Sequence, residues 1–184
     1  MPDTPDAWAI GLIGGPEKRA IEIVPYSPEW PVRYKRHAAR IADALGATAR
    51  RIEHIGSTAV EGLAAKPIVD MLVVVPDAAD EDSYLPQMLA AGYELRVREP
   101  DFEQHRMFRT PERDVHVHVF PEGAGEIDRY LIFRDALRND RQARREYETL
   151  KRELSKADWA DMNEYAFAKA DVIEAIVQRG RAGS

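Results

Sequence analysis

The sequence predicts an α+β fold, in which a mixed sheet with flanking helices is followed by a helical C-terminal extension. Residues 67–75 are almost continuously apolar, which is typical of a central strand buried on both faces. Residues 115–120 alternate between apolar and polar side chains, which indicates a strand with two different faces. Beyond Gly125 only helical periodicity remains. We therefore expect a flexible tail at residues 1–20, an α/β core at residues 21–122 and a helical region packed on that core at residues 123–184.

The first elements of the core are a short strand at residues 21–24 and a long helix. Ser27 suits the N-cap of that helix and Pro28 its first position. Apolar residues then recur at spacings of three and four until Gly46, where the helix should end.

The remaining elements of the sheet module follow in order. Residues 51–55 are predicted as a strand, and residues 56–66 as a loop of small residues before the central strand. A helix at residues 80–91 should be closed by Gly92. Strands are predicted at residues 94–97, 106–109 and 115–120, with the last two joined by a turn at residues 110–114.

The C-terminal third is predicted to contain three helices, around residues 127–137, 143–154 and 159–176. Two tyrosine–lysine pairs, Tyr147 with Lys151 and Tyr165 with Lys169, have the i,i+4 spacing that places both members on one helix face. Packing of the tyrosines in the core explains these pairs adequately, and a role facing the substrate stays open. Tyr130 and Arg134 lie on the first of these helices.

The composition excludes several classes of protein. Of the 184 residues 45% are hydrophobic and 32% are charged, which is an ordinary globular balance. The net charge of −6 argues against a dedicated nucleic-acid binder, although a local basic patch remains compatible with it. The absence of cysteine removes disulfides, thiolate zinc sites and a cysteine nucleophile. No signal peptide or membrane-spanning segment is recognisable, so we expect a cytoplasmic protein.

A glycine–serine turn and a buried carboxylate mark the first candidate site. Gly56, Ser57 and Thr58 follow a strand, where backbone amides and hydroxyls are able to hold phosphate oxygens, although the same residues also suit an ordinary loop. Asp70 lies inside the most apolar strand, where a carboxylate needs a partner. Lys66 and Asp70 suit phosphate and Mg²⁺ respectively, or form a structural pair.

The predicted hairpin carries the second candidate site. Period-two alternation places His116 and His118 on one face of a strand, where two imidazoles are able to ligate a metal, move protons or bind phosphate. An exposed strand with histidine as a polar filler is the alternative. Arg106 and Arg109 point to opposite faces of the preceding strand, so one of them should reach the histidines and the other should lie in solvent.

Taken together, these segments resemble the GrpB-like (UPF0157) family over about residues 20–178. The resemblance rests on Val24-Pro25-Tyr26 with Pro28 and Trp30, on residues 54–60 and 62–70, on His116-Val117-His118, and on Phe133-Arg134-Asp135 with Leu137. Glu61 departs from the proline usual in the family.

The resemblance implies a branch of the nucleotidyltransferase superfamily, hence a nucleotidyltransferase-like mixed sheet. In the superfamily pattern a Gly-Ser turn precedes a strand carrying Asp-x-Asp, and a later strand supplies a third carboxylate, so that the carboxylates hold Mg²⁺. Gly56, Ser57 and Asp70 match this pattern. Leu72 replaces the second carboxylate, and His116 and His118 stand where the third is expected. A standard two-metal site is therefore not expected.

The leading hypothesis is an enzyme, a transferase or ligase, that uses ATP or another NTP with Mg²⁺, or with Mn²⁺ or another divalent metal, to modify a small-molecule acceptor. Alternatives are a binding module without turnover and a metal-dependent hydrolase. No nucleic acid or membrane partner is expected, and the oligomeric state stays open. Asp70, His116 and His118 are the predicted catalytic residues and metal ligands. The predicted nucleotide- and substrate-binding residues are His54, Gly56, Ser57, Thr58, Lys66, Arg106, Arg109, Arg134, Tyr147 and Lys151.

Overall fold

Five strands form one mixed sheet in the order β1-β2-β5-β4-β3 in the computed structural model, which describes residues 11–182. The central pair, β2 and β5, is parallel, and every other pairing is antiparallel. This arrangement confirms the predicted α+β class. The strands are β1 Arg51–Ile55, β2 Val69–Val75, β3 Glu94–Glu99, β4 His105–Arg109 and β5 Val115–Pro121.

One face of the sheet is covered by α1 (Glu29–Leu45) and α2 (Leu85–Ala90). The valines of β5 and the odd-numbered residues of β2 point to this face, where they contact the buried side of α1. Helix α1 ends at Gly46 as predicted, with a φ of 51° at that glycine. The Ser27 hydroxyl accepts a hydrogen bond from the Glu29 amide. Pro28 occupies the N-cap position that was predicted for Ser27.

The predicted helix at residues 80–91 is wrong in its first half. A 3-10 turn at Glu81–Ser83 precedes α2, which begins only at Leu85. The physical reason is Pro86, since proline lacks an amide donor and is tolerated only in the first turn of a helix. The helix therefore starts next to the proline rather than spanning it.

The other face of the sheet is partly covered by the C-terminal helices α3 (Gly125–Asn139), α4 (Arg141–Leu154), α5 (Met162–Phe167) and α6 (Ala170–Ala182). Ile127 and Leu131 of α3 pack on Leu72 and Phe120 of the sheet. The third predicted helix is two helices, α5 and α6, that separate at residues 168–169. The apolar spacing did not reveal this break because both helices keep buried residues on one side, Tyr165 on α5 and Ile176 and Val177 on α6.

The tail expected at residues 1–20 contacts the sheet near residue 12. Residues 1–10 lie outside the described part of the chain. Leu12 forms a β-bridge with Val97 on β3, and the Arg98 amide donates to the Gly11 carbonyl. The expected strand at residues 21–24 is reduced to a single bridge between Val24 and Ala65. Within residues 11–182 no helix is both long enough and apolar enough to cross a membrane.

Candidate functional site

A cavity of about 360 Å³ opens on the sheet face that α3 leaves uncovered. Its floor is the start of the two parallel strands, and α3, α4 and α5 contribute to its walls. This size lies within the range of small-ligand sites. Ten of the predicted site residues line it, namely Gly56, Ser57, Thr58, Lys66, Asp70, Arg109, His116, His118, Tyr147 and Lys151.

Asp70 lies at the centre of the cavity floor, beside both predicted histidines. Its register partner on β5 is His116, and the neighbouring pair joins Leu72 to His118. The Asp70 Oδ1 atom is 3.5 Å from Nδ1 of His116 and 3.8 Å from Nε2 of His118. Burial raises the pKa of the Asp70 carboxyl, but the two imidazoles lower it by more, so it stays well below its ordinary value. Asp70 is therefore a carboxylate at neutral pH.

Position 56 requires a glycine because its backbone lies close to the Asp70 side chain. Its φ is 69°, in the left-handed region, and a Cβ built at this position would lie 2.8 Å from Asp70 Oδ2. Thr58, two residues later, binds Nε2 of His54 through its hydroxyl at 3.0 Å. The glycine–serine turn is thus fixed against the carboxylate on one side and against β1 on the other.

Three lysine ammonium groups surround the same cavity. Lys151, 2% exposed, donates to the Ser57 hydroxyl at 3.0 Å and to the Ala64 carbonyl. Lys66 and Lys169 both lie beside the Tyr165 ring, at 4.9 Å and 4.3 Å from its centroid. Among residues 11–182, none of the three forms an ion pair with a carboxylate. The cavity therefore holds more positive charge than its own carboxylates compensate.

Burial changes the protonation of these lysines. It lowers the pKa of Lys151 and of Lys169 to about 7 each, and the charge of Lys66 acts in the same direction on both. Burial also lowers the pKa of Lys66, which the charge of Asp70 partly opposes. An anionic ligand would relieve this mutual repulsion.

Tyr165 carries a buried hydroxyl that has no hydrogen-bond partner within the described residues. Its side chain is fully buried and lines the cavity beside Lys66 and Lys169. A buried hydroxyl without a partner is uncommon, because its desolvation is not compensated. A ligand atom that accepts a hydrogen bond here would complete the site.

A chain of hydrogen bonds leads away from His118, behind the cavity floor. Nδ1 of His118 lies 3.0 Å from Nε2 of His105 on β4, and Nδ1 of His105 lies 2.6 Å from Glu99 Oε2 on β3. Phe120 stacks on the His105 ring at 4.7 Å. Burial lowers the pKa of His105, an effect that Glu99 partly opposes.

Three predicted binding residues lie outside the lining of this cavity. Arg106 points to the opposite face of the sheet, where its Nε donates to Glu81 at 2.6 Å, because it pairs with Val119 rather than with a histidine. His54 points to that face too, stacked on Tyr34, and burial lowers its pKa to about 4. Arg134 lies outside the cavity lining, bound to Glu53, to Asp135 and to the His54 carbonyl.

Arg109 is the arginine that reaches the histidine face, since it pairs with His116 in the β4–β5 register. Its guanidinium already binds Glu17 at 2.8 Å, and Glu17 also pairs with Arg113. Asp161, another carboxylate in the cavity lining, accepts from the Glu17 and Asn163 amides. Arg109 therefore holds the N-terminal segment at the rim and is less available to a ligand than the lysines.

The predictions missed His105, Glu99, Tyr165 and Lys169 as site residues. His105 has the same strand parity as Arg109, so the parity of the hairpin was the signal that would have placed it beside His118. Tyr165 and Lys169 were noted as a pair, but the break between α5 and α6 had no evident mark in the sequence.

The donor set of Asp70, His116 and His118 does not suit the Mg²⁺ predicted there. Within residues 11–182, no group of three or more histidine, aspartate or glutamate side chains has the geometry to hold a metal ion. Mg²⁺ prefers an octahedron of oxygen atoms, whereas these residues offer one carboxylate and two nitrogens. Leu72, at the second carboxylate position, is fully buried against α3. The residues do not fit Mg²⁺ held by the protein alone.

Comparison with known proteins places the chain in a family. The model of the GrpB protein family matches residues 20–179. A UPF0157 protein of Streptomyces coelicolor is 54% identical over 180 residues, or 98% of this chain and 94% of the relative. The crystal structure of conserved protein GrpB from Enterococcus faecalis superposes with a TM-score of 0.77 at 32% identity, over 86% of this chain and 96% of that chain.

A cytoplasmic RNA terminal U-transferase shares the fold more distantly, with a TM-score of 0.52 at 14% identity, over 72% of this chain and 42% of that one. This likeness confirms the nucleotidyltransferase-like fold and carries no information on activity. The extent of the family match and the identity to the Streptomyces relative are decisive for membership: the chain belongs to the GrpB (UPF0157) family.

Proposed function

We propose that the chain binds a nucleoside triphosphate in the cavity above Asp70 and transfers part of it to a small-molecule acceptor. The observation that carries the proposal is the group of Lys66, Lys151 and Lys169, three ammonium groups without carboxylate partners among the described residues, around one small cavity. The unpartnered hydroxyl of Tyr165, whose ring lies beside two of these lysines, supports the same ligand.

A polyphosphate fits this arrangement better than an apolar ligand does. Phosphate oxygens accept hydrogen bonds from ammonium and hydroxyl groups, and charge-assisted bonds of this kind are the strong ones. The net charge of the chain is −6, so an excess of positive charge at one cavity is a local feature and not a consequence of composition. The fold shared with nucleotide-using transferases is consistent with this ligand.

In the proposed reaction the lysines bind and neutralise the phosphates, while α5 and Tyr165 cover them and exclude water. Because Asp70 and the histidines do not fit a protein-held Mg²⁺, we assign no step to such an ion. The small size of the acceptor and a cytoplasmic location are parts of this proposal.

Isothermal titration calorimetry with ATP, GTP, CTP and UTP, each with and without Mg²⁺, tests the binding step. We expect Lys66→Ala and Lys169→Ala to weaken binding about tenfold or more each, because each removes a charge-assisted contact. Lys35→Ala is the matched control, since Lys35 is exposed on α1, which covers the opposite face of the sheet. Absence of heat for every nucleotide, or equal weakening by the control, would contradict the proposal.

A binding module without turnover is the second candidate, and one observation favours it. Leu72 occupies the place of the second carboxylate and is buried, so a two-metal reaction centre is missing. Incubation of ATP with a panel of metabolites, and with an RNA oligonucleotide, separates the two readings. Release of pyrophosphate, ADP or AMP favours the enzyme, and tight binding without release favours the module. The hydrolase reading required a metal site that the described residues do not form.

A further inference from the structure

We infer that His118 is the general base of the proposed transfer, held in one tautomer by His105 and Glu99, and that the acceptor therefore reacts through a hydroxyl group. This inference rests on the proposed function. His105 and Glu99 do not line the cavity, so they are positioning residues, whereas Nε2 of His118 faces the cavity beside Asp70.

The tautomer follows from the order of hydrogen bonds. A carboxylate only accepts, so Glu99 Oε2 at 2.6 Å fixes the proton of His105 on Nδ1. Nε2 of a neutral His105 is then an acceptor, and at 3.0 Å it takes the proton on Nδ1 of His118. The remaining nitrogen of His118, Nε2, keeps its lone pair and points toward the cavity. The chain thus presents a base to the ligand.

Carboxylates lie on both sides of the His118 ring. Asp70 Oδ1 is 3.8 Å from Nε2, the atom that faces the cavity. Glu99 adds negative charge through His105, and the Tyr130 ring lies 5.5 Å away on the α3 side. His116 on the same strand contacts the same Asp70 oxygen, and Lys66 lines the same cavity.

The proposed transfer provides a place in the cavity for both the proton and the leaving group. The acceptor O–H gives its proton to Nε2 of His118 while the oxygen forms a bond to the α-phosphorus of the nucleotide. The bond from that phosphorus to the pyrophosphate oxygen breaks, and the pyrophosphate leaves with both electrons next to the lysines. A carboxylate or phosphate acceptor is already ionised at neutral pH, so a base would be idle for it. The hydrogen-bond chain of Glu99, His105 and His118 therefore suits transfer to an alcohol and not activation of a carboxylate.

The tautomer is directly measurable by two-bond ¹H–¹⁵N correlation NMR, since the chain has only 5 histidines. We expect the wild-type proton of His118 on Nδ1. In His105→Phe, which keeps the ring stacking but removes the acceptor, the proton should move to Nε2, toward Asp70. His37→Phe is the matched control, because His37 is also buried and hydrogen-bonded, to Tyr93 near α1, and should leave His118 unchanged. If His105→Phe does not fold, Glu99→Ala tests the same series of hydrogen bonds. A wild-type proton on Nε2 would overturn the inference.

Kinetics test the catalytic consequence. With ATP as donor and glycerol or acetate as acceptor at equal concentration, we expect glycerol to accelerate pyrophosphate release. His105→Phe should lower the glycerol-dependent kcat about tenfold or more, as part of the 10²–10⁴-fold effect of general-base catalysis, and leave KM for ATP unchanged. Acceleration by acetate, or by neither compound, would overturn the hydroxyl acceptor. Failure of ATP to bind would remove the proposed function, whereas the tautomer measurement would still decide the hydrogen-bond chain.

Discussion

The hydroxyl of Tyr165 combines a cost to the free protein with a use in the complex. A buried polar group without a partner costs about 1–3 kcal/mol, and the same group bonded to a charged phosphate oxygen contributes about 1.5–3 kcal/mol. The described part of the chain supplies no partner for this hydroxyl, and the ammonium groups of Lys66 and Lys169 both lie beside the Tyr165 ring. A site built for an anion explains why the uncompensated group is present.

This balance makes Tyr165→Phe a test with two opposite readouts. Removing the hydroxyl should raise the Tm of the free protein, because the desolvated group disappears, and should weaken ATP binding about tenfold or more. Calorimetry of unfolding and of binding measures both. Tyr84→Phe is the control, since the Tyr84 hydroxyl donates to the Ala78 carbonyl at 2.6 Å, and its loss should lower Tm without changing ATP affinity. A Tyr165→Phe variant that is less stable, with unchanged affinity, would assign the hydroxyl to the fold.

Single residues also show how far sequence reasoning reaches. Asp70 was predictable, because a carboxylate in an apolar strand needs a specific environment. The choice between Arg106 and Arg109 was not, because it depends on the register of β4 against β5. A shift of one residue in that register exchanges every side chain between the two faces. His105 shares its strand parity with Arg109, so the same register places it beside His118.

At the level of elements, the cationic cavity joins three parts of the chain that are distant in sequence. Lys66 precedes β2, Lys151 lies on α4, and Lys169 lies between α5 and α6. Helical spacing predicted α4 correctly, but neither the break after α5 nor the contact of Lys151 with Ser57 follows from local pattern. Such contacts are set by how the helices dock on the sheet, which depends on tertiary packing.

The low pKa of the lysines predicts opposite effects of pH on stability and on binding. The folded-state pKa of Lys151 and Lys169 is about 7, below the ordinary value of 10.5, so the unfolded chain binds more protons between these values. Stability of the free protein should therefore rise with pH from about 7 to 9. Binding of a phosphate requires the ammonium forms, so ATP affinity should fall over the same range.

Calorimetry in buffers of different ionisation enthalpy checks this prediction. We expect proton uptake on ATP binding at pH 8, up to about one proton for each of the two lysines. Lys169→Met removes one of these groups and should reduce the uptake, whereas Lys35→Met on α1 should not. An affinity that is constant between pH 7 and 9, with no proton uptake, would show that the lysines are charged in the free protein.

The molecule as a whole depends on its C-terminal helices for both the core and the site. Ile55, Leu72 and Phe120 of the sheet are fully buried, and the side chains that cover them come from α3. Val60 and Leu63, in the loop after the glycine–serine turn, are buried against α3, α4 and α6. The same C-terminal region carries Lys151, Lys169 and Tyr165. The predicted division at residue 122 therefore separates regions that share their apolar faces.

This sharing predicts that residues 1–122 do not form a stable domain alone. The fragment would expose the apolar face that α3 covers, and each fully buried Leu, Ile or Phe side chain contributes about 1.5–3 kcal/mol. Total stabilities of domains are only about 5–15 kcal/mol, so the loss of several such contacts is decisive. We expect the fragment to bind a hydrophobic dye, to unfold without a cooperative transition and to lack ATP affinity, as measured by fluorescence, circular dichroism and calorimetry.

Addition of a fragment of residues 123–184 should restore cooperativity if the two regions fold together. Cooperative unfolding of residues 1–122 alone would instead make the sheet module an independent domain, and ATP binding by that fragment would remove the helical lysines from the site.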